Sequence, residues 1–388
     1  MMFGFVRRTA RHLIVLGFDV WVHLAEWPRI LFLRLIDYSS LIRILERSGT
    51  TRLALVAPHP TQLLEFSMRH LVRGLVDNGF SVVVMMYDQR SAAWLKEEFP
   101  QIHLAERRKQ GRDFGAWKEV LVALLKNKTL CGTIEKLVLV NDSIYWNGST
   151  SEVVGLLATS PKPWACLFEN FEHHYHAQSF LLLFDNCVVN SKAFHQFWNK
   201  YRPYSSRRHS IDSGEVLLSK RIVTAFGKPA CVLSSARVVD KVLSVRVERC
   251  SDIILSLDAN RHVAREFGLA LNRFEANSGL APNANGYFVK PDKAQRLLEL
   301  HKLAALIAKL MECSNPTHMT GLLISQLFGF PIKRDLCQRG SFQIADVLRL
   351  IAGYSSQESA VIAADLRSKE LPISIRGLRR LLFDHGRI

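Results

Sequence analysis

The sequence predicts an α/β protein whose core is a mostly parallel sheet flanked by helices. After residue 51, short apolar runs typical of buried strands alternate with stretches whose apolar residues recur at helical spacing. Strands and helices that alternate up to a fourth strand are typical of a parallel sheet with right-handed crossovers. The chain has 388 residues and is 48% hydrophobic, which is enough to fill a substantial core.

Four strands are predicted in the first third of the chain. The runs RLALVAPHP, SVVVMMYD, QIHLAERR and KLVLVND place them at residues 52–60, 81–88, 101–108 and 136–142. Between the first two, apolar residues keep helical spacing until the sequence DNG ends the helix. Parallel sheets bind ligands beyond the carboxyl ends of their strands, so the loops after QIHLA and KLVLV are candidate site loops.

The rest of the chain divides into a mixed middle region and a helical end. Residues 149–284 mix helices with the strand-like runs PWACLFEN and SFLLLF. Residues 291–388 are mostly helical and are interrupted by the turn FGFPIKRDL. We expect N-terminal amphipathic helices over residues 1–48, an α/β domain over residues 49–290 and a C-terminal helical region over residues 291–388.

The N-terminal pattern predicts helices that lie in a membrane interface. Aromatic residues such as Trp21 and Trp27 interleave with arginines such as Arg11, as in interfacial helices. Asp19 and Glu26 interrupt any apolar run of roughly 20 residues, the length that crosses a bilayer. The alternative is a pair of ordinary helices packed on the domain, since buried helices show similar patterns.

Charge and cysteine content favour a cytoplasmic protein with an anionic partner. Fifty-one Lys and Arg against 35 Asp and Glu give a net charge of +16, which favours nucleic acid, a phospholipid surface or a nucleotide-linked substrate. The basic residues are distributed along the chain, with local clusters at residues 107–112, 207–208 and 376–380, and form no recognised nucleic-acid-binding module, so nucleic acid is not expected as a partner. Seven scattered cysteines with no zinc-ligand spacing fit a reducing compartment.

The stretch QGRDFGAWK predicts a turn that opens a helix. Gly111 permits a positive φ, and Arg112 and Asp113 stand at the helix start. In the first alternative, Asp113 is only the N-cap of this helix and accepts hydrogen bonds from its free backbone amides. In the functional alternative, Arg112 and the helix amides face a diphosphate while Asp113 holds a base or ribose hydroxyl. The basic run at residues 107–112 then forms a wall of the site, and which of its cations turns inward stays open.

The fourth strand runs directly into Asn141, Asp142 and Ser143. Their side-chain oxygens suit a divalent metal ion, Mg²⁺ or Mn²⁺, that bridges a diphosphate, with Asp142 as its ligand. A turn after a strand favours the same residue types without any ligand. Tyr145, two residues further on, is a further substrate-binding candidate.

The segment ENFEHHYHAQS predicts a polar strip that lines a pocket. It leads into the core run FLLLF, so its end lies at the mouth of a strand. The candidate substrate contacts are Glu172, His176, Gln178 and Ser179.

The segment IDSGEVLLSKRIVTAFG predicts a helix over residues 211–227, capped by Asp212 or Ser213 and ended by Gly227. Glu215 lies in its first turn, where a carboxylate suits the helix dipole. Alternatively, Glu215 is a general base that removes a proton from an acceptor hydroxyl.

These motifs together resemble the rhamnan synthesis protein F family, a group of bacterial polysaccharide glycosyltransferases. The matching pieces are LALVAPHP, GRDFGAWK, LVLVNDSIYW, YHAQSFLLLF with FHQFW, GEVLLSKRIVTAFG, and NPTH with GFPIKRDL. They occur in the family's order over residues 51–350. The family in turn looks like the nucleotide-sugar transferases of GT-A fold, so the resemblance implies a GT-A-like sheet.

By this resemblance, residues 111–113 contact the nucleotide, residues 141–143 hold the diphosphate and metal, and Glu215 is the base of an inverting transfer. Two positions depart from the family pattern: residues 141–143 carry a single carboxylate, and Val216 follows Glu215 where a second acid is usual. The resemblance implies a nucleotide-sugar donor, dTDP-rhamnose or a related deoxyhexose. It also implies a glycan or lipid-linked acceptor at the inner-membrane surface.

The main alternative is a non-catalytic, membrane-associated polysaccharide-assembly protein that keeps the fold without turnover. Its support is the single carboxylate at residues 141–143. Nothing in the sequence predicts the oligomeric state.

Overall fold

The computed structural model describes residues 2–31, 36–59, 63–108, 110–172, 174–245, 250–265, 293–330, 332–339, 342–370, 374–385 and 387. The domain boundary expected near residue 290 lies outside these residues.

Within the described residues, nine strands form two sheets. The strands are β1 Arg52–Ala57, β2 Ser81–Met86, β3 His103–Glu106, β4 Lys136–Asn141, β5 Trp164–Cys166, β6 Glu169–Asn170, β7 His176–Ala177, β8 Leu181–Asp185 and β9 Ala230–Cys231. Seven of them form the main sheet in the order β3-β2-β1-β4-β8-β5-β9, and β6 pairs with β7. In the main sheet only β8 runs antiparallel to its neighbours β4 and β5.

Helices cover both faces of the main sheet and make up most of the C-terminal part. In chain order they are α1 Met2–Leu31, α2 Ser39–Arg47, α3 Glu65–Asp77, α4 Ala93–Glu98, α5 Arg112–Lys126, α6 Lys128–Thr133, α7 Thr150–Ala158, α8 Asn186–Val189, α9 Lys192–Lys200, α10 Arg207–His209, α11 Leu217–Phe226, α12 Ser235–Leu243, α13 Cys250–Asp258, α14 Lys293–Cys313, α15 Pro316–Met319, α16 Gly321–Phe328, α17 Ile344–Leu350, α18 Ser356–Ser368 and α19 Gly377–Asp384. A π-helical turn, Ser210–Val216, joins α10 to α11.

The sheet carries a hydrophobic core on each face. Alternate residues of β1 point to opposite sides: Val56 lies in the core that α3 and α7 cover, and Leu55 in the core that α5 and α9 cover. Because both faces are buried, β1, β2 and β4 are continuous apolar runs with no polar alternation.

The turn FGFPIKRDL reaches the carboxyl end of β4. Ile144 and Lys333 form an antiparallel β-bridge, the backbone N–H of Tyr145 donates to Ile332 O at 2.8 Å, and that of Arg334 donates to Ser143 O at 2.9 Å. Residues separated by about half of the chain therefore meet at the edge where ligands of parallel sheets bind.

The predicted fold class is confirmed. The chain has a mostly parallel seven-stranded sheet flanked by helices, with an N-terminal helix and a helical C-terminal region. The four strands predicted between residues 52 and 142 are β1 to β4, and all four are parallel.

Candidate functional site

A large cavity opens at the carboxyl end of β4, between the sheet and the C-terminal helices. Its volume is about 1500 Å³, which is more than one drug-sized ligand needs. Of the twelve residues that the sequence singles out, ten line it: Arg112, Asp113, Asn141, Asp142, Ser143, Glu172, His176, Gln178, Ser179 and Glu215. Gly111 adjoins the lining, and Tyr145 is fully buried behind it.

The turn before α5 is left-handed at two consecutive residues. Gly111 has φ 75°, as predicted, and Arg112 has φ 53°, a conformation that is costly for a residue with a side chain. A Cβ at Gly111 would lie 2.4 Å from Pro203 Cβ. Arg107 stabilises this turn, because its Nη2 donates to Arg112 O at 2.8 Å and its guanidinium lies over the ring of Tyr87.

Within the basic run, Arg112 is the described cation that lines the cavity. Arg107 is buried beneath the turn and serves the backbone, and Lys109 lies outside the described residues. Arg112 Nε donates to Ser205 O at 3.1 Å, which fixes its side chain along the wall.

Asp113 lies in the first turn of α5, and Gly111 occupies the N-cap position that was predicted for Asp113. One carboxylate oxygen accepts from its neighbouring amide, Phe114 N. The other accepts from Asn141 Nδ2 at 2.8 Å and from Ser179 Oγ at 3.2 Å. Burial, together with the charge of Glu215, raises the pKa of Asp113.

Glu215 lies in the π-helical turn and reaches the same cavity. Its Oε1 accepts from Ser179 N at 2.8 Å, and its Oε2 lies 3.6 Å from His176 Nε2. The helix predicted from residue 211 begins earlier, at Arg207, and Ser206 caps it. Asp212, predicted as a cap, instead pairs with Arg208 inside the helix at 2.6 Å.

The π-helical turn depends on Gly214. A Cβ at this position would come within 2.9 Å of the Phe114 ring, so only glycine lets the turn pack against α5. This packing brings Glu215 close enough to Asp113 for their charges to interact.

The residues around Asp142 do not fit the divalent metal ion that the sequence predicts. Asp142 Oδ1 accepts from His59 N at 2.8 Å, and Oδ2 pairs with Arg334 Nη1 at 3.0 Å. The guanidinium occupies the place beside the carboxylate that a metal ion would take. Among the described residues, no group of three or more His, Cys, Asp or Glu is arranged to hold a metal.

Arg334 links the sheet edge to α18. Its Nη2 pairs with Asp365 Oδ1 at 3.1 Å, and Lys369 Nζ pairs with Asp365 Oδ2 at 2.6 Å. Tyr145 supports this network from behind, since its hydroxyl donates to Asp365 Oδ2 at 2.5 Å. Although burial alone lowers the pKa of Arg334, the charges of Asp142 and Asp365 raise it, so the guanidinium stays charged.

A second group of charges surrounds one carboxylate, and we call it the Asp335 cluster. It consists of Asp335, Lys333, His318, Arg207 and Arg339. Asp335 oxygens lie 3.2 Å from His318 Nε2, 3.5 Å from Lys333 Nζ, 3.7 Å from Arg339 Nε and 4.0 Å from Arg207 Nη2.

Within the Asp335 cluster, the carboxylate of Asp335 stays charged. Burial alone raises the pKa of Asp335, but Lys333, His318 and Arg207 lower it well below its usual range. Burial, followed by the charge of Lys333, lowers the pKa of His318, so the imidazole adds no further positive charge at neutral pH. All five side chains line the cavity.

Sequence reasoning missed Arg334, Lys333 and Asp335 as site residues. Their segment, GFPIKRDL, was noted as a motif, but nothing in its local pattern shows that it pairs with residues 143–145. The segment NPTH supplies two more cavity residues, Asn315 and His318.

Helix α1 packs one face against the cavity wall. Glu26 Oε2 accepts from Ser205 N at 2.7 Å, and Asp19 Oδ2 pairs with Arg387 Nη2 at 2.7 Å. The opposite face is apolar and exposed: Leu13, Leu16, Val20, Trp21, Leu24 and Trp27 are each at least half exposed. In the described part of the chain, no helix has the length and apolarity that a membrane span requires.

Comparison with known proteins identifies no family. No protein-family model matches the chain, and no curated protein matches it. Among solved structures, the crystal structure of 4-diphosphocytidyl-2C-methyl-D-erythritol synthase is similar to part of it. That match has 13% sequence identity and a TM-score of 0.33, and covers 47% of this chain and 88% of the other. A similarity this weak carries no argument about function, and the family resemblance of the motifs stays a prediction.

Proposed function

We propose that this protein is a glycosyltransferase that moves a sugar from a nucleotide-sugar donor to an acceptor hydroxyl. One observation carries the proposal: a carboxylate wall, Asp113 and Glu215, and a cationic wall, Lys333 and Arg334, border one cavity at the carboxyl edge of a parallel sheet. The cationic wall can stabilise an anionic leaving group, and the carboxylate wall can accept a proton from an attacking hydroxyl.

Glu215 is the general base of this proposal. A carboxylate on the acceptor side of the anomeric carbon removes the proton of the attacking hydroxyl, which gives one displacement and an inverted configuration. The amide of Ser179 orients Glu215 Oε1. Oε2 faces His176 at 3.6 Å, longer than a hydrogen bond, and is therefore the oxygen available to an acceptor.

The leaving nucleoside diphosphate gains negative charge as the glycosidic bond breaks. Fixed cations aimed at the place where charge develops stabilise the transition state more than the ground state. Arg112 and Lys333 line the cavity and supply such cations, whereas Arg334 is already paired with Asp142 and Asp365. Because the residues at Asp142 do not fit a metal ion, no step is assigned to one.

The sugar and the acceptor rest on the motif resemblance. It favours rhamnose or a related deoxyhexose as the donor sugar, carried on dTDP. It favours a growing cell-surface polysaccharide or a lipid-linked glycan as the acceptor.

The outward face of α1 supports a peripheral position on the cytoplasmic leaflet of the inner membrane. Its six exposed apolar side chains lie opposite the face that packs on the domain. Soluble proteins rarely leave an apolar surface of this extent uncovered. A lipid-linked acceptor and the net charge of +16 both suit an anionic lipid surface.

The test is a panel of sugar nucleotides, including dTDP-rhamnose, added to the purified protein. A true donor raises the melting temperature because it binds the folded state alone, and a lipid-linked acceptor then yields a glycosylated product. If no sugar nucleotide protects the protein, with or without Mn²⁺, the proposal is wrong. Protection without transfer to any acceptor would favour the non-catalytic assembly protein.

A further inference from the structure

We infer that the donor diphosphate is neutralised by the cations of the Asp335 cluster, without a divalent metal ion. The inference rests on the proposed function for the identity of the ligand, a nucleoside diphosphate group.

The first step is the balance of charge. Arg334 and Lys369 face two carboxylates, Asp142 and Asp365, so that network is neutral. The Asp335 cluster sets Lys333, Arg207 and Arg339 against one carboxylate, an excess of two positive charges when all three are protonated. Burial lowers the pKa of Lys333, and an anionic ligand favours its protonated form. A sugar-linked diphosphate carries two negative charges, which a divalent cation would otherwise balance.

Lys333 lies where a donor diphosphate would be expected to bind. The β-bridge to Ile144 fixes Lys333 just beyond the carboxyl end of β4, where parallel α/β sheets bind their ligands. The Lys333 side chain is only 9% exposed, and its Nζ lies 5.3 Å from the centre of the Phe180 ring. A buried ammonium with so little solvent gains strongly from an anionic ligand.

Lys333 and Arg207 are not fully engaged by Asp335. Lys333 Nζ and Arg207 Nη2 lie 3.5 and 4.0 Å from Asp335, beyond the 2.7–2.9 Å of a strong charge-assisted hydrogen bond. Lys333 Nζ also lies 3.1 Å from His318 Nε2. An ammonium has three N–H groups, so Lys333 keeps donor capacity beyond Asp335 and His318 that a phosphate oxygen can use. Across the turn, Arg334 already pairs with Asp142, the carboxylate that a metal ion would need.

The test is the affinity for UDP and dTDP, measured by titration calorimetry in EDTA and again in Mn²⁺. We expect the two Kd values to agree within about threefold. Lys333→Gln and Arg207→Gln should each weaken binding by about tenfold or more and leave the binding of the free nucleosides unchanged. Lys220→Gln removes the same charge from an exposed site on α11 outside the cavity and should stay within about twofold.

Affinity that falls more than about tenfold in EDTA would overturn the inference, as would unchanged affinity in both Lys333→Gln and Arg207→Gln. Tighter binding of farnesyl diphosphate than of either nucleotide would also overturn it, since the cluster would then serve a lipid diphosphate. Arg207 is partly exposed, so Arg207→Gln keeps the test valid if Lys333→Gln does not fold.

The two proposals fail separately. Metal-free nucleotide binding without sugar transfer would retain the inference and refute the glycosyltransferase. Transfer that requires Mn²⁺ would retain the glycosyltransferase and refute the inference.

Discussion

Ser179 joins the two carboxylates of the site. Its amide donates to Glu215 at 2.8 Å, and its hydroxyl donates to Asp113 at 3.2 Å. The two acids therefore share one small support, which holds them close although their charges repel. Burial, together with this repulsion, raises the pKa of Asp113.

Glu215→Gln should lower sugar transfer by at least about 100-fold, because an amide cannot accept the acceptor's proton. The amide oxygen can still accept from Ser179 N, so the fold and the donor affinity should persist. Initial rates and donor Kd would be measured together. Glu152→Gln, an exposed acid on α7, is the matched control and should keep its rate.

If Glu215→Gln keeps its rate, Glu215 is not the base. Glu172, the exposed acid on the same cavity, would then be the next candidate.

Asp335→Asn should lower the free energy of unfolding by about 1–3 kcal/mol at pH 7, since it leaves three cations facing one another. The folded-state pKa of Asp335 is depressed, so its contribution is present above the unfolded pKa of about 4 and is lost as the pH falls through the folded pKa. Urea denaturation at pH 7 and at pH 3 would measure this.

The difference between wild type and Asp335→Asn should thus shrink at pH 3. Asp384→Asn, which breaks a pair at a carboxylate that is 47% exposed, should cost less than about 1 kcal/mol. If the two variants lose the same free energy of unfolding at pH 7, Asp335 stabilises the fold no more than an exposed carboxylate does.

At the scale of elements, the site depends on two unusual helix starts. Helix α5 begins at Arg112, the second of two consecutive left-handed residues, and α11 follows a π-helical turn. Each start is allowed by a glycine with a close neighbour, Pro203 at Gly111 and Phe114 at Gly214. Together they bring two helix starts against the end of β4.

Gly111→Ala should destabilise the protein by about 2–4 kcal/mol, because it adds a side chain at φ 75° and a contact 2.4 Å from Pro203. Chemical denaturation measures the loss. Gly132→Ala is the control: it lies in α6 with no atom within 4 Å of the added Cβ, and it should be neutral or stabilising by up to about 1 kcal/mol. Equal midpoints for wild type and Gly111→Ala would show that the turn relaxes freely.

The sequence predicts elements well where local pattern decides them. Buried runs such as VLV in β4 are continuous and apolar, and Gly111 takes the positive φ that its place before a helix predicts. The helix around Glu215 was placed correctly, yet its π-helical start was missed, because Gly214 meets Phe114 only in the folded chain. The cap predicted at Asp113 fails for a similar reason, since Asn141 and Ser179 draw its carboxylate towards the sheet.

The part of the cavity that Lys333 and Arg334 form could not be predicted. Lys333 and Arg334 lie about 190 residues after Asp142 in sequence, and their pairing depends on backbone contacts with residues 143–145. Periodicity and local motifs carry no information on such distant pairings.

At the scale of the molecule, α1 has two different faces. Its inner face contacts Ser205 and Arg387 at the cavity wall, and its outer face exposes aromatic and aliphatic side chains. Ser205 also accepts from Arg112 and lies against Gly111. A lipid surface that binds the outer face would therefore lie about one helix diameter from the part of the cavity wall that Arg112 lines.

The double variant Trp21→Ser/Leu24→Ser should lower binding to anionic phospholipid vesicles by about tenfold or more, because two side chains that are 63% and 67% exposed would no longer enter the interface. Sedimentation with vesicles measures the bound fraction. Leu298→Ser is the control, because it removes an exposed leucine from α14 instead of α1. This variant should bind vesicles as the wild type does. Unchanged binding by the double variant would mean that α1 is not the lipid contact.

The bridge between Ile144 and Lys333 makes the cavity depend on a segment that is synthesised late. A ribosome releases the chain from its N-terminus, so Asp113 and Glu215 emerge well before residues 333–369. Until those residues arrive, Arg112 and Arg207 are present, but Lys333, Arg334 and the cavity wall that they form are missing. A chain arrested at residue 330 should therefore bind a sugar nucleotide more weakly than the full chain, and the proposed donor pocket would be among the last parts of the protein to form.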